Sequence, residues 1–375
     1  MISITFFMCL NVMIGLLLGL TPYISRKHFP FGVSLRVNKE TEKIINHQKK
    51  KYFLLNFGLS LILSVSIVFL SYLKTTISEE ILIYLSVGSL FLLLIFSLVT
   101  YIIGHNFLKE YKKTLAPETV TSQKIIVDLS FRDDKLIFPT SYLVGINLAF
   151  VALTFFVTLM NYEKIPNTIV MQWDFNMNPT TVTDKSWGSV LSIPLIQLFL
   201  TVVMGISNQS FLLAKQEIDR ENPSQSVAKN RKFRRQSSLL NFIISILTQI
   251  LMTAIQFLIV FESLSPKIIM MLSIIFTVII IGIVTVYSLY YGQSGDRLND
   301  PTMTDTDELS TDMTVMDDSD NHWKLGMFYF NKQDPSFWVE KRMGVGMTFN
   351  FAKWQAWVFL LGIILIPFII VYLTK

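Results

Sequence analysis

Eight long apolar segments without a single Lys, Arg, Asp or Glu constrain this chain more than any other feature of its sequence. Each exceeds the roughly 18 residues that a helix needs to cross about 30 Å of hydrocarbon. Inside lipid the backbone must satisfy its own hydrogen bonds, so each segment is predicted to be a spanning helix, and none alternates like a membrane barrel. The segments are Ile2–Ile24, Tyr52–Leu73, Ile81–Gly104, Ser141–Tyr162, Trp187–Ala214, Leu239–Phe261, Ile268–Gly292 and Trp354–Leu373.

The composition fits this class. Only 16% of the 375 residues are charged, whereas soluble domains carry about a quarter. The first segment has no basic residue before it and no small-residue cleavage site after it, so we expect a retained helix and not a signal peptide. The predicted fold class is an all-α polytopic membrane protein of about eight transmembrane helices, with a small β-rich module before the last helix.

Lysine and arginine are distributed unevenly between two sets of loops. The loops after the first, third, fifth and seventh segments hold 27 of the 32 basic residues. Because basic loops stay in the cytoplasm, the sequence predicts a multi-pass membrane protein with both termini outside. The net charge of +5 then reflects the basic residues of the cytoplasmic loops. Because the sequence has no nucleic-acid-binding motif, no nucleic-acid partner is predicted. A weaker interpretation is attraction of Lys49–Lys51 and Lys229–Arg235 to anionic headgroups of the lipid bilayer.

Five regions follow from these segments and loops. The first basic loop is predicted to hold a separate surface helix, Glu40–Lys51, and the third to begin with a continuation of the fifth helix. The sequence LLNF begins at both Leu54 and Leu239, which indicates either an internal repeat or chance similarity. The regions are 1–160 (four helices with basic loops), 161–292 (an external loop, 161–186, and helices five to seven), 293–322 (an acidic linker predicted to be disordered), 323–353 (a cytoplasmic module) and 354–375 (the last helix).

The stretch 323–351 has the composition of a small soluble sheet, although it lies between two membrane segments. Turn residues at Asn331–Ser336 and two nearby glycines separate three short strand-like runs. Three short strands form only a marginal sheet unless one face is covered, so the module is predicted to pack on its own helix bundle or on a cytoplasmic regulator. Its candidate contact residues are Trp323, Tyr329, Asp334, Lys341, Arg342, Gly344 and Asn350.

The external loop 161–186 is also large enough to have a shape of its own, with strand-like residues at Thr168–Phe175. Its aromatic residues either anchor the loop at headgroup depth or form a platform that binds an external peptide or toxin. Its charged residues either hold the loop together or meet a charged ligand. The candidate ligand contacts are Trp173, Asp174, Phe175, Lys185 and Trp187.

The sequence patterns that indicate an enzyme are missing. The four His residues are far apart, the single Cys9 lies in the first segment, and neither a phosphate-binding loop nor a nucleophile elbow occurs. We therefore expect no enzymatic activity, no cofactor and no metal. Within the membrane segments the polar residues are neutral. Gln249 and Gln256 share one helix face, where they either hydrogen-bond between helices or line a substrate path.

The external loop carries a family resemblance. Ile165–Pro166, Trp173 and Lys185, followed by a helix with an early Pro194, resemble a bacterial membrane domain of unknown function found in SdpI-type proteins. Those proteins span the membrane several times and serve in immunity and signal transduction against a secreted toxin. Gln172 stands where the family usually has His, which removes a pH-sensitive or metal-dependent role at that position.

The module carries a second resemblance. Trp323–Gly326, Asp334–Pro335, Val339–Arg342 and Gly344–Gly346 are similar to a short cytoplasmic module, without assigned activity, near the end of larger relatives of these proteins. Phe31–Val33 in the first loop is similar to the same group. The resemblances imply a multi-pass protein of the bacterial inner (cytoplasmic) membrane that serves in envelope-associated immunity, sensing or signalling. The alternative is a small-substrate transporter or exporter component, which the lack of charged residues within the segments disfavours.

Overall fold

Eight long helices dominate the molecule. The computed structural model describes residues 2–35, 38–72, 79–115, 125–126, 136–173, 178–217, 223–261, 265–298, 313–314 and 319–374. In this part of the chain eight helices are long and apolar enough to cross a membrane, so the protein is an integral membrane protein and the predicted fold class is confirmed. The helices are α1 (Ile2–Ile24), α2 (Lys39–Tyr72), α3 (Glu79–Thr114), α4 (Thr140–Met160), α5 (Trp187–Leu213), α6 (Pro223–Phe261), α7 (Pro266–Tyr291) and α8 (Trp354–Leu373).

Two helices begin well before the predicted spans. Asn38 caps α2, because its side-chain oxygen accepts hydrogen bonds from the backbone N–H groups of Glu40 and Thr41. The stretch Glu40–Lys51 is therefore the start of α2, and the prediction of a separate surface helix is wrong. α5 ends at Leu213 and residues 214–217 are not helical, so the predicted continuation of α5 into the third basic loop is wrong. α6 begins at Pro223 and includes the later, polar part of that loop.

The helices form two groups of three. In one group α1, α2 and α3 pack against one another, and in the other α4, α5 and α6 do so. α7 lies against α6 and touches α1, and α8 lies against α5. The two LLNF sequences have different surroundings, since Asn56 donates to Thr100 of α3 whereas Asn241 donates to the backbone oxygen of Met204 in α5. An internal repeat stays a prediction.

Short strands form antiparallel pairs outside the helix bundle. They are β1 (Ile125–Ile126), β2 (Thr168–Trp173), β3 (Pro179–Asp184), β4 (Met313–Thr314), β5 (Trp323–Lys324), β6 (Phe328–Tyr329), β7 (Trp338–Glu340) and β8 (Met347–Phe349). β1 pairs with β4, β2 with β3, β5 with β6, and β7 with β8. The module thus holds four strands in two pairs, where three strands were expected. Gly344 and Gly346 have φ angles of 73° and 112°, which supply the predicted bend before β8.

Most of the predicted acidic linker, 299–312 and 315–318, lies outside the described residues.

The β2–β3 hairpin and the module with strands β5 to β8 lie at opposite ends of the helix bundle. The β2–β3 hairpin directly precedes α5, and the backbone N–H of Lys215, just after α5, donates to the Trp338 carbonyl oxygen. A helix of 27 residues spans about 40 Å. We call these regions the hairpin end and the module face. In the structure a short helical turn, Ser319–His322, directly precedes β5, so we take the module as residues 319–353, four residues more than the predicted 323–353.

Candidate functional site

The carboxylate of Glu340 forms the centre of the module face. Its Oε1 accepts hydrogen bonds from Arg234 Nη2 at 2.9 Å and Asn230 Nδ2 at 2.6 Å, both on α6. Its Oε2 accepts from Ser294 Oγ at 2.7 Å, just after α7, and from the guanidinium group of Arg26, just after α1. One side chain of the module therefore binds to both groups of helices.

This carboxylate is ionised although it is buried. Burial by itself raises the pKa of Glu340, but Arg26 and Arg234, with hydrogen bonds from Asn230 and Ser294, hold that pKa below its ordinary value. A buried ion pair adds little net stability, because desolvation offsets the attraction. Removal of one partner, however, leaves an uncompensated buried charge and costs about 3–5 kcal/mol. The cluster therefore specifies one docked position of the module.

A second ion cluster surrounds Arg342, two residues further along the module. Arg342 Nη1 donates to Asp320 Oδ1 at 2.5 Å and to the Gly32 carbonyl oxygen at 3.0 Å. Asp320 also accepts from Lys112 Nζ of α3 at 2.9 Å and from the backbone N–H of Ser34. Burial raises the pKa of Asp320, but Arg342 and Lys112 outweigh it, and the pKa lies below its ordinary value. This cluster joins the module to α3 and to the loop after α1.

Two left-handed turns touch through their backbones beside this cluster. Gly32 has a φ angle of 75° and Gly326 one of 70°, a conformation that favours glycine. A Cβ atom on Gly32 would lie 2.3 Å from the Gly326 carbonyl oxygen, and one on Gly326 would lie 2.6 Å from His105 Nδ1. The stretches Phe31–Val33 and Trp323–Gly326, which carry one family resemblance in the sequence, therefore meet in space.

Two polar residues organise the module internally. Asp334 accepts hydrogen bonds from Tyr329 Oη at 2.6 Å and from Lys215 Nζ at 2.7 Å. Burial opposes its ionisation, but Lys215 and Tyr329 lower the pKa of Asp334 to about 2. The buried Asn350 side chain accepts from the Asn331 backbone N–H and donates to the Asn331 carbonyl oxygen, which fixes the turn between β6 and β7.

The remaining candidate residues of the module lie in the same assembly. Trp323 is buried in a small apolar core with Tyr329 and Val339. The backbone N–H of Gly344 donates to Ser25 Oγ at 2.8 Å, again in the loop after α1, and burial lowers the pKa of the Lys341 amine. The module thus packs on its own helix bundle, which is one of the two arrangements that the sequence left open.

A stripe of polar residues follows one face of α6 from the Glu340 cluster toward the hairpin end. Beyond Arg234 the members of the stripe have hydrogen-bond partners on α4 and α5: Gln249 donates to Thr201 and Gln256 to Thr158. Spacings of three, four and seven residues keep the stripe on one helix face. Its buried members are Asn230, Arg234, Ser238, Ser245, Gln249, Thr253 and Gln256.

The hairpin end packs on the bundle through nonpolar side chains. Ile165 and Ile169 pack against Val190 of α5 and Val260 of α6 in a small apolar cluster. The other side of the hairpin is open, with Val182 exposed on β3. The hairpin therefore rests on the bundle by one apolar face and leaves the other accessible.

Of the three candidate ligand contacts that the structure describes, Trp187 and Lys185 lie against the same ring and Trp173 lies within the hairpin. Trp173 pairs with Pro179 across the hairpin, and Trp187 stacks on Tyr162 with ring centroids 3.9 Å apart. Lys185 Nζ lies 4.6 Å from the Tyr162 ring centroid and also donates to a backbone oxygen, so it has a local structural role. The other two candidates, Asp174 and Phe175, lie outside the described residues.

Several residues that hold the module carry little signal in the sequence. Arg26 and Arg234 look like ordinary topology-setting charges at helix ends, yet both are buried. Glu340 belongs to the Val339–Arg342 motif but is one of 27 acidic residues. One chemical argument could have identified them from the sequence. An acidic residue within a strand-like apolar run is buried with that run and needs a cation as its partner, and the basic loops contain such cations.

Two family models match parts of the chain. A domain of unknown function (DUF1648) matches residues 149–198, which cover half of α4, the hairpin and the start of α5. A family of unknown function (DUF5808) matches residues 332–357, which cover the β7–β8 pair and the start of α8. No curated protein and no solved structure matches the chain. The matches fall on the two ends of the molecule, and neither description names an activity.

Proposed function

We propose that this protein serves in immunity, sensing or signalling at the bacterial cell envelope, without an enzymatic step. In this proposal the hairpin end binds an external peptide and the module responds on the cytoplasmic face. The observation that carries it is that one continuous helix, α5, connects the two regions. α5 begins next to the hairpin at Trp187, and two residues after its end Lys215 binds both Asp334 and Trp338 of the module.

α8 provides a second connection in the opposite direction. It begins at Trp354, directly after the module, and its end lies against the start of α5. The approach there is close, since a Cβ atom on Gly188 would lie 3.2 Å from the Thr374 Cα atom. Packed helices shift as units by about 1–2 Å, so a displacement at the hairpin is transmitted to the module by two antiparallel helices.

The response in this scheme is a change in the docking of the module. Arg26 belongs to the first group of helices and Arg234 to the second, and both bind Glu340. A shift between the two groups of helices moves the guanidinium groups of Arg26 and Arg234 apart and weakens the ion pairs that they form with Glu340. A ligand can drive this change only by the difference in its affinity for the two arrangements.

Replacement of both Trp173 and Trp187 by Ala tests the binding role of the hairpin. We expect the double variant to insert normally but to lose protection against, or response to, secreted bacterial peptide toxins applied to cells. Tyr84→Ala is the control, because Tyr84 is an exposed aromatic residue on α3, outside both the hairpin and the helices α5 and α8 that this proposal uses. Full protection by the double variant would contradict the proposal.

The orientation of the protein is tested separately. Tags inserted at Asp307 and Asn178 should be labelled from opposite sides of the membrane, with Asn178 accessible from outside the cell. Labelling of both tags from one side would exclude the proposed arrangement of an external hairpin and a cytoplasmic module.

A transporter or exporter component is the second candidate, and one observation favours it. The Oε1 atoms of Gln249 and Gln256 are buried and have no hydrogen-bond partner among the described residues. Such an atom costs about 1–3 kcal/mol unless water or a polar solute occupies the neighbouring position. Gln249→Leu with Gln256→Leu should abolish solute movement in a transporter, whereas a signalling protein that inserts normally should retain its response.

A further inference from the structure

We propose that the module face binds the phosphate headgroup of an anionic phospholipid at the junction of α1, α2 and α7. Three cationic side chains from three parts of the chain lie there. They are Lys27, just after α1, Lys49, on the early part of α2, and Arg297, just after α7. We call these three residues the basic junction.

Contacts with neighbouring residues bring the basic junction together. The backbone N–H of Lys27 donates to Asp296 Oδ2 at 3.1 Å, which places Lys27 beside Arg297. Lys49 Nζ lies 5.8 Å from the ring centroid of Tyr23, one turn before Lys27. Lys49 is also close enough to Arg297 and to Lys27 for like-charge repulsion with both.

The side chains of the basic junction contrast with five cations of the module face that have carboxylate partners. Within the described residues none of its three side chains forms an ion pair. The paired cations, in contrast, are Arg26, Arg234, Arg342, Lys112 and Lys215.

Two acidic residues lie near the basic junction, which leaves three positive charges against two negative ones. Asp296 is engaged by the backbone N–H of Lys27, and Glu42 attracts Lys49 from two turns earlier on α2 without a direct ion pair. Adjacent positive charges of this kind create a local potential that favours an anion. The basic junction therefore has the electrostatic character of an anion-binding site.

The surroundings identify the anion as part of a lipid. Tyr291 is the last residue of α7, and its carbonyl oxygen accepts a hydrogen bond from the backbone N–H of Arg297 in the basic junction. Tyrosines at the ends of membrane helices mark headgroup depth. The apolar stretch of α7 is not buried in the bundle, so acyl chains can lie along it. A phospholipid provides both a phosphate and acyl chains, and basic sites between transmembrane helices are suited to such headgroups.

Native mass spectrometry of the full-length protein tests the site. Phosphatidylglycerol and phosphatidylcholine are titrated onto wild-type protein, onto the Lys49→Gln, Arg297→Gln double variant and onto a Lys50→Gln, Lys51→Gln control with the same loss of charge. We expect wild-type protein to prefer phosphatidylglycerol, the junction variant to bind it about 30-fold more weakly, and the control to bind it within about threefold of wild type.

Three results would overturn the inference. Equal losses in the junction variant and the control would show general attraction of charged lipid to the surface. An equal affinity of wild-type protein for both lipids would exclude a headgroup site. Displacement of phosphatidylglycerol by millimolar inorganic phosphate would assign the basic junction to a soluble anion. Protection of the module from protease, measured in parallel, distinguishes a lost site from a misfolded variant.

Discussion

The two ends of the molecule, each with its own family match, are built on different physical principles. At the module face, buried side chains of opposite charge join four segments of the chain, and Glu340 and Arg342 are nearly inaccessible. At the hairpin end, two strands rest on a small apolar cluster around Ile169, and Trp187 leaves 52% of its surface exposed. One end is fixed by specific polar partners and the other by a limited nonpolar contact.

The ion pairs of the module face favour one docked arrangement, whereas the hairpin end offers a surface that a partner can reach. Buried ion pairs contribute little net stability, but they penalise every arrangement in which one partner is left alone. The module face therefore has one preferred docked state. An exposed aromatic surface such as that of the hairpin is instead typical of residues that contact a partner.

The largest expected effect is that of Glu340→Gln, which removes the charge shared by Arg26 and Arg234. Two buried guanidinium groups then lack their counterion, and we expect docking to weaken by about 3–5 kcal/mol. Limited proteolysis in lipid nanodiscs, followed by intact mass measurement, should show faster cleavage within residues 319–353.

Glu110→Gln is the matched control for that variant. Glu110 pairs with Lys113 on the exposed surface of α3, and exposed pairs of this kind contribute little because solvent screens them. Its proteolysis pattern should equal that of wild type. A module as well protected in Glu340→Gln as in wild type would refute the contrast between the two ends.

A steric change should have the next largest effect. Gly326→Ala places a Cβ atom 2.6 Å from both the Phe31 carbonyl oxygen and His105 Nδ1, at a positive φ angle. We expect a loss of about 1–3 kcal/mol in docking, since the turn must move or adopt a strained conformation. Gly88→Ala on α3 is the control, because nothing lies within 4 Å of its Cβ position; the same proteolysis assay should show no loss there.

Acidification should loosen the module face before it affects the hairpin end. The pKa values of Glu340 and Asp320 are lowered and that of Asp334 is about 2, so these groups stabilise the docked state above the ordinary carboxyl pKa of about 4. That contribution is lost as the pH falls from about 4 toward 2. Hydrogen exchange across this range measures it, and Asp334→Asn should remove part of the dependence. Equal loss of protection at both ends would contradict the prediction.

The helices were predictable from sequence, whereas the ion clusters were not. An apolar run of lipid-spanning length has one structural solution, so the existence of each helix is local information. Arg26 and Glu340 are 314 residues apart, and nothing local indicates that they meet. The polar starts of α2 and α6 were misinterpreted for a related reason, because a hydrophilic segment reveals its buried helix face only when its partners are known. The roles of Trp173 and Trp187 in ligand binding stay predictions.

The smallest expected effect is that of Trp187→Ala at the hairpin end. It removes the stacking on Tyr162, and aromatic pairs of this kind contribute about 0.5–1.5 kcal/mol. Hydrogen exchange should become modestly faster in β2 and β3 and stay unchanged in the module, because the loss of this stacking leaves the contacts of Lys215 with the module in place. Trp354→Ala, the exposed tryptophan next to the module, should leave the hairpin amides unchanged. Faster exchange at β7 in Trp187→Ala would instead show that α5 couples the two ends without a ligand, and the hairpin would then control the docking of the module directly.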